Sequence, residues 1–171
     1  FPLFTIPWEV HLVDIMQDYC NGIINAEQQK SNICSAFFNA IFSPMQKDLY
    51  IPRLKQASFD LHGEFIIISL DLDSSICKKN NEIKLKNFIM RIENTLNSFS
   101  FKYSLLSQNG ELNIIINFSS SQNPLNYIDS YVVRHLKNYC EIKHIGVSSS
   151  ITSIENLHKA YIQSSNAKYT S

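Results

Sequence analysis

An apolar run near the middle of the chain, Glu64–Leu72 (EFIIISLDL), limits the choice of folds more than any other segment. It is rich in β-branched residues and almost continuously apolar, which is typical of a central strand that is covered on both faces. It is far shorter than a membrane-spanning helix, and no run elsewhere approaches 18 uninterrupted apolar residues. The sequence therefore predicts a sheet with this run inside it, and no contact with a membrane.

The segments around this run alternate between strand and helix patterns. Apolar positions and turn residues predict strands at 64–72, 101–107, 112–118 and 142–148. They predict helices at 52–61, 81–98, 124–139 and from 153 onward. The second and third strands are joined through Asn109-Gly110, the strongest short signal for a hairpin. A hairpin between two right-handed crossovers predicts an α+β fold: a ferredoxin-like antiparallel sheet with helices on one side, a plan related to that of nucleotidyl cyclases.

The first part of the chain, residues 8–43, has the apolar spacing of a long helix that ends before Pro44. It is either one helix or two helices broken near Asn21-Gly22. Its apolar stripe would pack on the core or pair with the stripe of a second copy, and the residues leave both alternatives open. The candidates for dimerisation are Leu12, Ile15, Met16, Tyr19 and Ile23.

Charge and cysteine content exclude several classes of function. The 15 basic and 15 acidic residues balance, so the chain lacks the basic excess that a domain needs to hold nucleic acid by itself. The four cysteines are scattered, without a C-x-x-C pair or a Cys/His cluster at ligand spacing. We therefore predict buried thiols in a reducing, cytoplasmic compartment, with no cofactor.

Three carboxylates are the candidates for chemistry. Asp71 and Asp73 lie at the end of the apolar run, and Glu111 lies on the predicted hairpin. Alternate residues of a strand share a face, so this set could hold a divalent cation as nucleotidyl transferases do. The competing interpretation is an ordinary solvated turn. The four glycines are isolated from one another and form no phosphate-binding loop, which favours a non-enzymatic chain.

Three segments resemble the degenerate GGDEF-like domain of bacterial transcription regulators. They are Phe65–Asp73 (FIIISLDLD), Leu106–Ile116 (LSQNGELNIII), and Ile145–Ser150 (IGVSSS) followed by Leu157–Ala167 (LHKAYIQSSNA). Upstream, Pro2–Val10 (PLFTIPWEV) and Val13–Ile15 resemble the end of the sensory domain of PucR-type regulators, which control purine catabolism. The resemblance covers nearly the whole chain.

The resemblance implies a domain organisation. Residues 1–45 would be the end of a sensory domain and a connecting helix, and residues 46–171 would be the GGDEF-like domain. A C-terminal helix-turn-helix domain would be absent from this chain. The GGDEF motif itself corresponds to Gln108–Leu112, so its paired glycines and one metal carboxylate are missing. The product-inhibition motif of active cyclases is also missing near Phe99–Lys102, and Asp71 matches a metal ligand in position only.

The expected function is that of a non-enzymatic signalling and dimerisation module in a PucR-type transcription regulator. It would relay effector sensing to the missing DNA-binding domain. Its partners would be a second copy, a small-molecule effector, and DNA only through that missing domain. The alternative is a divergent nucleotidyl cyclase, or a domain that binds a nucleotide or another small molecule, using Asp71 and Glu111.

Overall fold

The computed structural model describes residues 6–119 and 123–169, with side chains from residue 11 onward. Residues 2–5 of the segment that resembles a sensory domain lie outside the described residues. The strands are β1 (Glu64–Leu72), β2 (Lys102–Gln108), β3 (Glu111–Phe118) and β4 (Ile142–Val147). The helices are α1 (Ile6–Phe42), α2 (Ile51–Gln56), α3 (Ser74–Cys77), α4 (Glu82–Leu96), α5 (Pro124–Tyr127), α6 (Arg134–Leu136) and α7 (Leu157–Ala167). A π-helical segment, Ile128–Val133, joins α5 to α6.

The four strands form one antiparallel sheet in the order β2-β3-β1-β4. The apolar run becomes β1, one of the two inner strands, as its composition predicts. The hairpin between β2 and β3 is also confirmed: Asn109 and Gly110 take positive φ angles of 49° and 80°. Only glycine and a few polar residues adopt this region easily, and the turn matches the twist of the two strands. The α+β class is therefore correct.

One face of the sheet, which we call the crossover face, packs against the two helical connections. Alternate residues of β1, such as Ile66, Ile68 and Leu70, contact Phe88 and its neighbours on α4. The segment from α5 to α6 covers the rest of this face. Its buried contacts are Ile128, Val132, Val133 and Leu136. These elements are the crossovers that the order of strands and helices predicts.

The opposite face, which we call the α7 face, is also covered. Phe65 and Ile67 of β1 are fully buried there with Phe37 of α1 and Leu157 of α7. The prediction that helices lie on one side of the sheet is therefore wrong. The prediction considered only the two crossover connections. Helices α1 and α2 precede the repeat of strands and helices and α7 follows it, and these three helices cover the second face.

Helix α1 is one continuous helix of 37 residues, about 55 Å long at the standard rise. Its last three turns pack on the α7 face through Ala36, Phe37, Ala40 and Ile41, all fully buried. From residue 11 to residue 32 every side chain is exposed. The helix therefore projects well beyond the sheet.

Among the described residues, no helix combines the length and the apolar composition that crossing a lipid bilayer requires. Helix α1 is long enough, but it carries acidic and amide side chains along the part that projects.

Candidate functional site

The β1–β3 register brings two of the three predicted carboxylates together. Asp71 lies directly opposite Glu111 in the antiparallel pair. Alternation along the strands places both on the α7 face, at the end of the sheet where the hairpin turns. Their side chains are 22% and 25% exposed, so each is largely removed from water. Two partly buried carboxylates this close repel each other unless one takes up a proton or a cation lies between them.

That cation is the ammonium group of Lys168, from the end of α7. Its Nζ donates to Asp71 Oδ1 at 2.7 Å and to an oxygen of Glu111. The Lys168 side chain has no exposed surface. A buried ammonium is tolerated only when it is paired and hydrogen-bonded, and here one lysine meets both carboxylates.

A glycine on β4 allows the end of α7 to lie this close to the sheet. A Cβ atom placed on Gly146 would be 1.9 Å from the carbonyl oxygen of Ser164 and 2.7 Å from the backbone nitrogen of Lys168. Both distances are shorter than real contacts, and the neighbouring atoms are backbone. Any residue larger than glycine would therefore push α7 away and lift Lys168 from the carboxylates.

A layer of buried polar groups separates this ion cluster from the apolar core. The Ser69 hydroxyl donates to Asn113 Oδ1 at 2.6 Å and lies 2.7 Å from the Ser164 hydroxyl. All three residues are almost completely buried. Since buried polar groups are stable only when they are hydrogen-bonded, this layer specifies the register between α7 and the strands.

The third predicted carboxylate, Asp73, does not join the cluster. It follows the end of β1, and its Oδ1 accepts from the backbone N–H of Ser75, so it caps α3. This hydrogen bond is the main reason that the pKa of Asp73 lies below its usual value. Lys143 lies 3.5 Å from its other oxygen. The two interpretations of the end of β1 therefore apply to different residues. Asp73 lies in a turn, and Asp71 belongs to a cluster of carboxylates.

The electrostatics of the cluster favour a charged lysine. Burial alone lowers the pKa of Lys168, but hydrogen bonds and charges from Asp71 and Glu111 outweigh it and raise the pKa above the ordinary value. Burial, and then the charge of Glu111, raises the pKa of the neighbouring Tyr161. His144, opposite Asp71 on β4, has its Nδ1 3.5 Å from Asp71 Oδ2 and remains half exposed.

The arrangement does not fit a divalent cation. The carboxylate oxygens that would bind a metal ion instead accept hydrogen bonds from Lys168. Across residues 6–119 and 123–169, no group of three or more His, Cys, Asp or Glu side chains is arranged to hold a metal ion. The cluster can bind an ammonium and orient a helix.

Sequence reasoning missed Lys168 entirely. A signal for it exists, because Ala160, Ser164 and Lys168 follow one another at intervals of four residues and so share one helical face. Ala160 and Ser164 are buried against the sheet. A lysine that continues a buried face indicates a charged partner on the element beneath it.

The predicted dimerisation residues all lie on the projecting part of α1. Leu12, Ile15, Met16, Tyr19 and Ile23 are between 45% and 71% exposed. Side chains of this size are usually buried, and a row of them on one helix indicates a surface that another molecule covers.

No protein-family model matches this chain, and a search of curated protein sequences found no match to it.

Proposed function

We propose that this chain is a non-enzymatic signalling and dimerisation module of a PucR-type transcription regulator. The observation that carries the proposal is the position of Lys168 between Asp71 and Glu111. A nucleotidyl cyclase needs divalent metal ions at its carboxylates to activate the attacking oxygen and neutralise the phosphates. An ammonium from the chain's own helix balances charge but offers no open coordination position.

The topology supports the GGDEF-like assignment within this proposal. A hairpin between two crossovers, in the strand order β2-β3-β1-β4, is the ferredoxin-like plan that nucleotidyl cyclases also use. The turn that carries the cyclase motif in that family is here the tight pair Asn109-Gly110. Because many functions share one fold, topology alone supports the class of domain and not an activity.

Direct contacts between α1 and α7 support a role in relaying a signal. The ring of Phe42 lies 5.2 Å from the ring of Tyr161. His158 Nδ1 is 2.6 Å from the carbonyl oxygen of Ile41. In the proposed regulator α1 follows the sensory domain, and α7 precedes the helix-turn-helix domain that contacts DNA. A displacement of α1 would therefore reach α7 through these contacts, while Lys168 holds the other end of α7 on the sheet.

The proposal is tested by calorimetry with magnesium and GTP or ATP, together with an assay of nucleotide turnover. We expect no binding heat with either nucleotide and no product. Turnover that disappears in Asp71→Ala would establish the divergent cyclase instead. Sedimentation tests the second part of the proposal: a dimer is expected at micromolar concentration, and a strict monomer at every concentration would contradict it.

A further inference from the structure

The apolar stripe on α1 has two parts with different surroundings. Leu12, Met16, Tyr19, Ile23, Ala26, Lys30, Ile33 and Phe37 follow one another at alternating steps of four and three residues, and all of them except Lys30 are apolar. This spacing keeps them near one face of the helix, with a drift of about 20° per seven residues. Phe37 is fully buried on the sheet, whereas the positions from Leu12 to Ala26 are exposed.

We propose that a second copy of this chain covers the exposed part of the stripe, and that the two α1 helices run antiparallel. This inference rests on the dimerisation role proposed above and adds the geometry of the dimer. Each sheet would lie at the opposite end of the helix pair from its copy.

The size of the exposed surface fits such a pairing. The large apolar side chains between residues 12 and 24 are all at least 45% exposed. They are Leu12, Val13, Ile15, Met16, Tyr19, Ile23 and Ile24. Those that lie along the stripe expose on the order of several hundred Å², a patch size that marks interaction sites, against the ~800 Å² that each partner buries in a standard interface.

The sheet itself favours antiparallel pairing. From Ile33 onward the same side of α1 faces its own domain, where the Cys34 thiol lies 3.1 Å from the carbonyl oxygen of Leu105 on the edge strand β2. In a parallel pair, the partner's α1 would have to continue past Ile33 on the side of the helix that faces β2, and it would collide with that strand. In an antiparallel pair, only the first turns of the partner's α1 reach the level of Ile33.

Lys30 gives a second reason. It lies on the line of the stripe, and parallel pairing in register would place it against its own copy, which is unfavourable. Antiparallel pairing centred near residue 21 places Lys30 opposite Leu12 of the partner subunit. It also sets Met16 opposite the small side chain of Ala26.

A cavity at the foot of the projecting helix would receive the partner. It has a volume of about 510 Å³ and lies between α1, α4 and β2. Its walls include Ala26, Lys30 and Ile33 of α1 and Phe101 and Tyr103 from the β2 side. Lys30 pairs with Glu93 of α4 across it. The antiparallel arrangement brings the first turns of the partner's α1 to this cavity, so each helix would contact the other copy's domain.

Disulfide trapping tests the orientation. The prediction of buried thiols is wrong for Cys20 and Cys140, which are exposed, and both are first replaced by serine. Met16→Cys and Ala26→Cys are then introduced singly and together, and covalent dimer is measured on non-reducing gels. The two sites lie about 15 Å apart on one helix, too far for a bond within a chain. A matched control pair, Asp14→Cys with Gln28→Cys, obeys the same antiparallel register but lies on the opposite side of α1.

We expect the double variant to shift mostly to covalent dimer, while both single variants and the control pair stay monomeric on the gel. Covalent dimer in the single variants would show parallel pairing and overturn this inference, although the dimerisation module would survive. If sedimentation shows a dimer but no cysteine variant forms a covalent dimer, this inference is also overturned, because α1 would not be the interface. A strict monomer would remove both this inference and the proposed function.

Discussion

The two faces of the sheet are built from alternate residues of the same strands, yet they bury different chemistry. The crossover face is apolar along its whole length, with Ile66, Ile68 and Leu70 of β1 packed against α4. The α7 face is apolar under α1 and the first turns of α7, where Phe65 and Ile67 lie. Toward the hairpin it becomes polar, and there it carries the ion cluster of Asp71, Glu111 and Lys168.

This difference shows that apolar burial and hydrogen-bonded polar burial fix the position of a helix on the sheet in different ways. Apolar burial has no preferred direction, so α4 is held by the sum of many contacts, none of which is indispensable. The end of α7 is held by directed hydrogen bonds that require Lys168 at one distance and glycine at position 146. Variants on the two faces should therefore respond differently to pH and to compensating substitutions.

The largest effect is expected on the crossover face. Phe88→Ala removes a fully buried ring and should lower the free energy of unfolding by about 4 kcal/mol. The loss should be the same at neutral and mildly alkaline pH, because the burial of an apolar ring does not depend on pH. Urea denaturation at the two pH values measures it. A loss that changed strongly with pH would show that the two faces are not independent.

On the α7 face, Lys168→Met should lower the free energy of unfolding by about 3 kcal/mol, because it leaves two largely buried carboxylates without their cation. Adding Asp71→Asn and Glu111→Gln should recover part of the loss. The matched control is Lys47→Met, which breaks an exposed pair with Glu155 of the same 2.7 Å length and should cost less than about 1 kcal/mol. If the two lysine variants lowered the free energy of unfolding equally, burial of the Lys168 pair would not be the reason for its larger contribution.

Alkaline pH should weaken the α7 face. The pKa of Lys168 is raised in the folded protein, so its stabilising contribution is complete below the unfolded pKa of about 10.4 and is lost as pH rises through the folded value. The pKa values of Tyr50, Tyr103 and Tyr161 are raised by burial and act in the same direction. The difference in melting temperature between wild type and Lys168→Met therefore isolates the contribution of the lysine. This difference should shrink above about pH 10.5. A difference that stays constant with pH would argue against a charged Lys168.

The smallest effect on folding is expected outside both faces. Tyr19→Ser on the projecting helix should change the free energy of unfolding of the monomer by less than about 0.5 kcal/mol, because the ring is 71% exposed. It should nevertheless weaken the dimer seen by sedimentation. Asn21→Ser, on the opposite side of α1, serves as the control and should leave the dimer intact. Equal weakening by both variants would point to a loss of helicity instead of a lost contact.

Local pattern was enough to predict much of this fold. The bounds of β1 follow from its β-branched run, and the hairpin follows from Asn109-Gly110, since both depend on neighbouring residues alone. The covered second face was missed for a different reason. The composition of β1 indicated a strand covered on both sides, but the order of elements accounted only for the crossover helices, and α1 and α7 lie outside that repeat.

The ion cluster could be predicted only in part. Asp71 and Glu111 were chosen from their places at a strand end and a hairpin, and the register sets them side by side. Asp73 was chosen with them from simple alternation, but β1 ends at Leu72 and the backbone then turns into α3. Lys168 was not found because it lies 97 residues from Asp71 in the chain.

By itself, the sequence determined the strands, the hairpin, the amphipathic helices and the balance of charge, because each of these depends on composition or on spacing along the chain. Only the tertiary structure decided which cation meets Asp71 and Glu111 and which part of the α1 stripe is left exposed. Both outcomes depend on how closely α1 and α7 approach the sheet. That approach is set by the contact of Gly146 with the backbone of α7 and by the limited length of the sheet beneath α1.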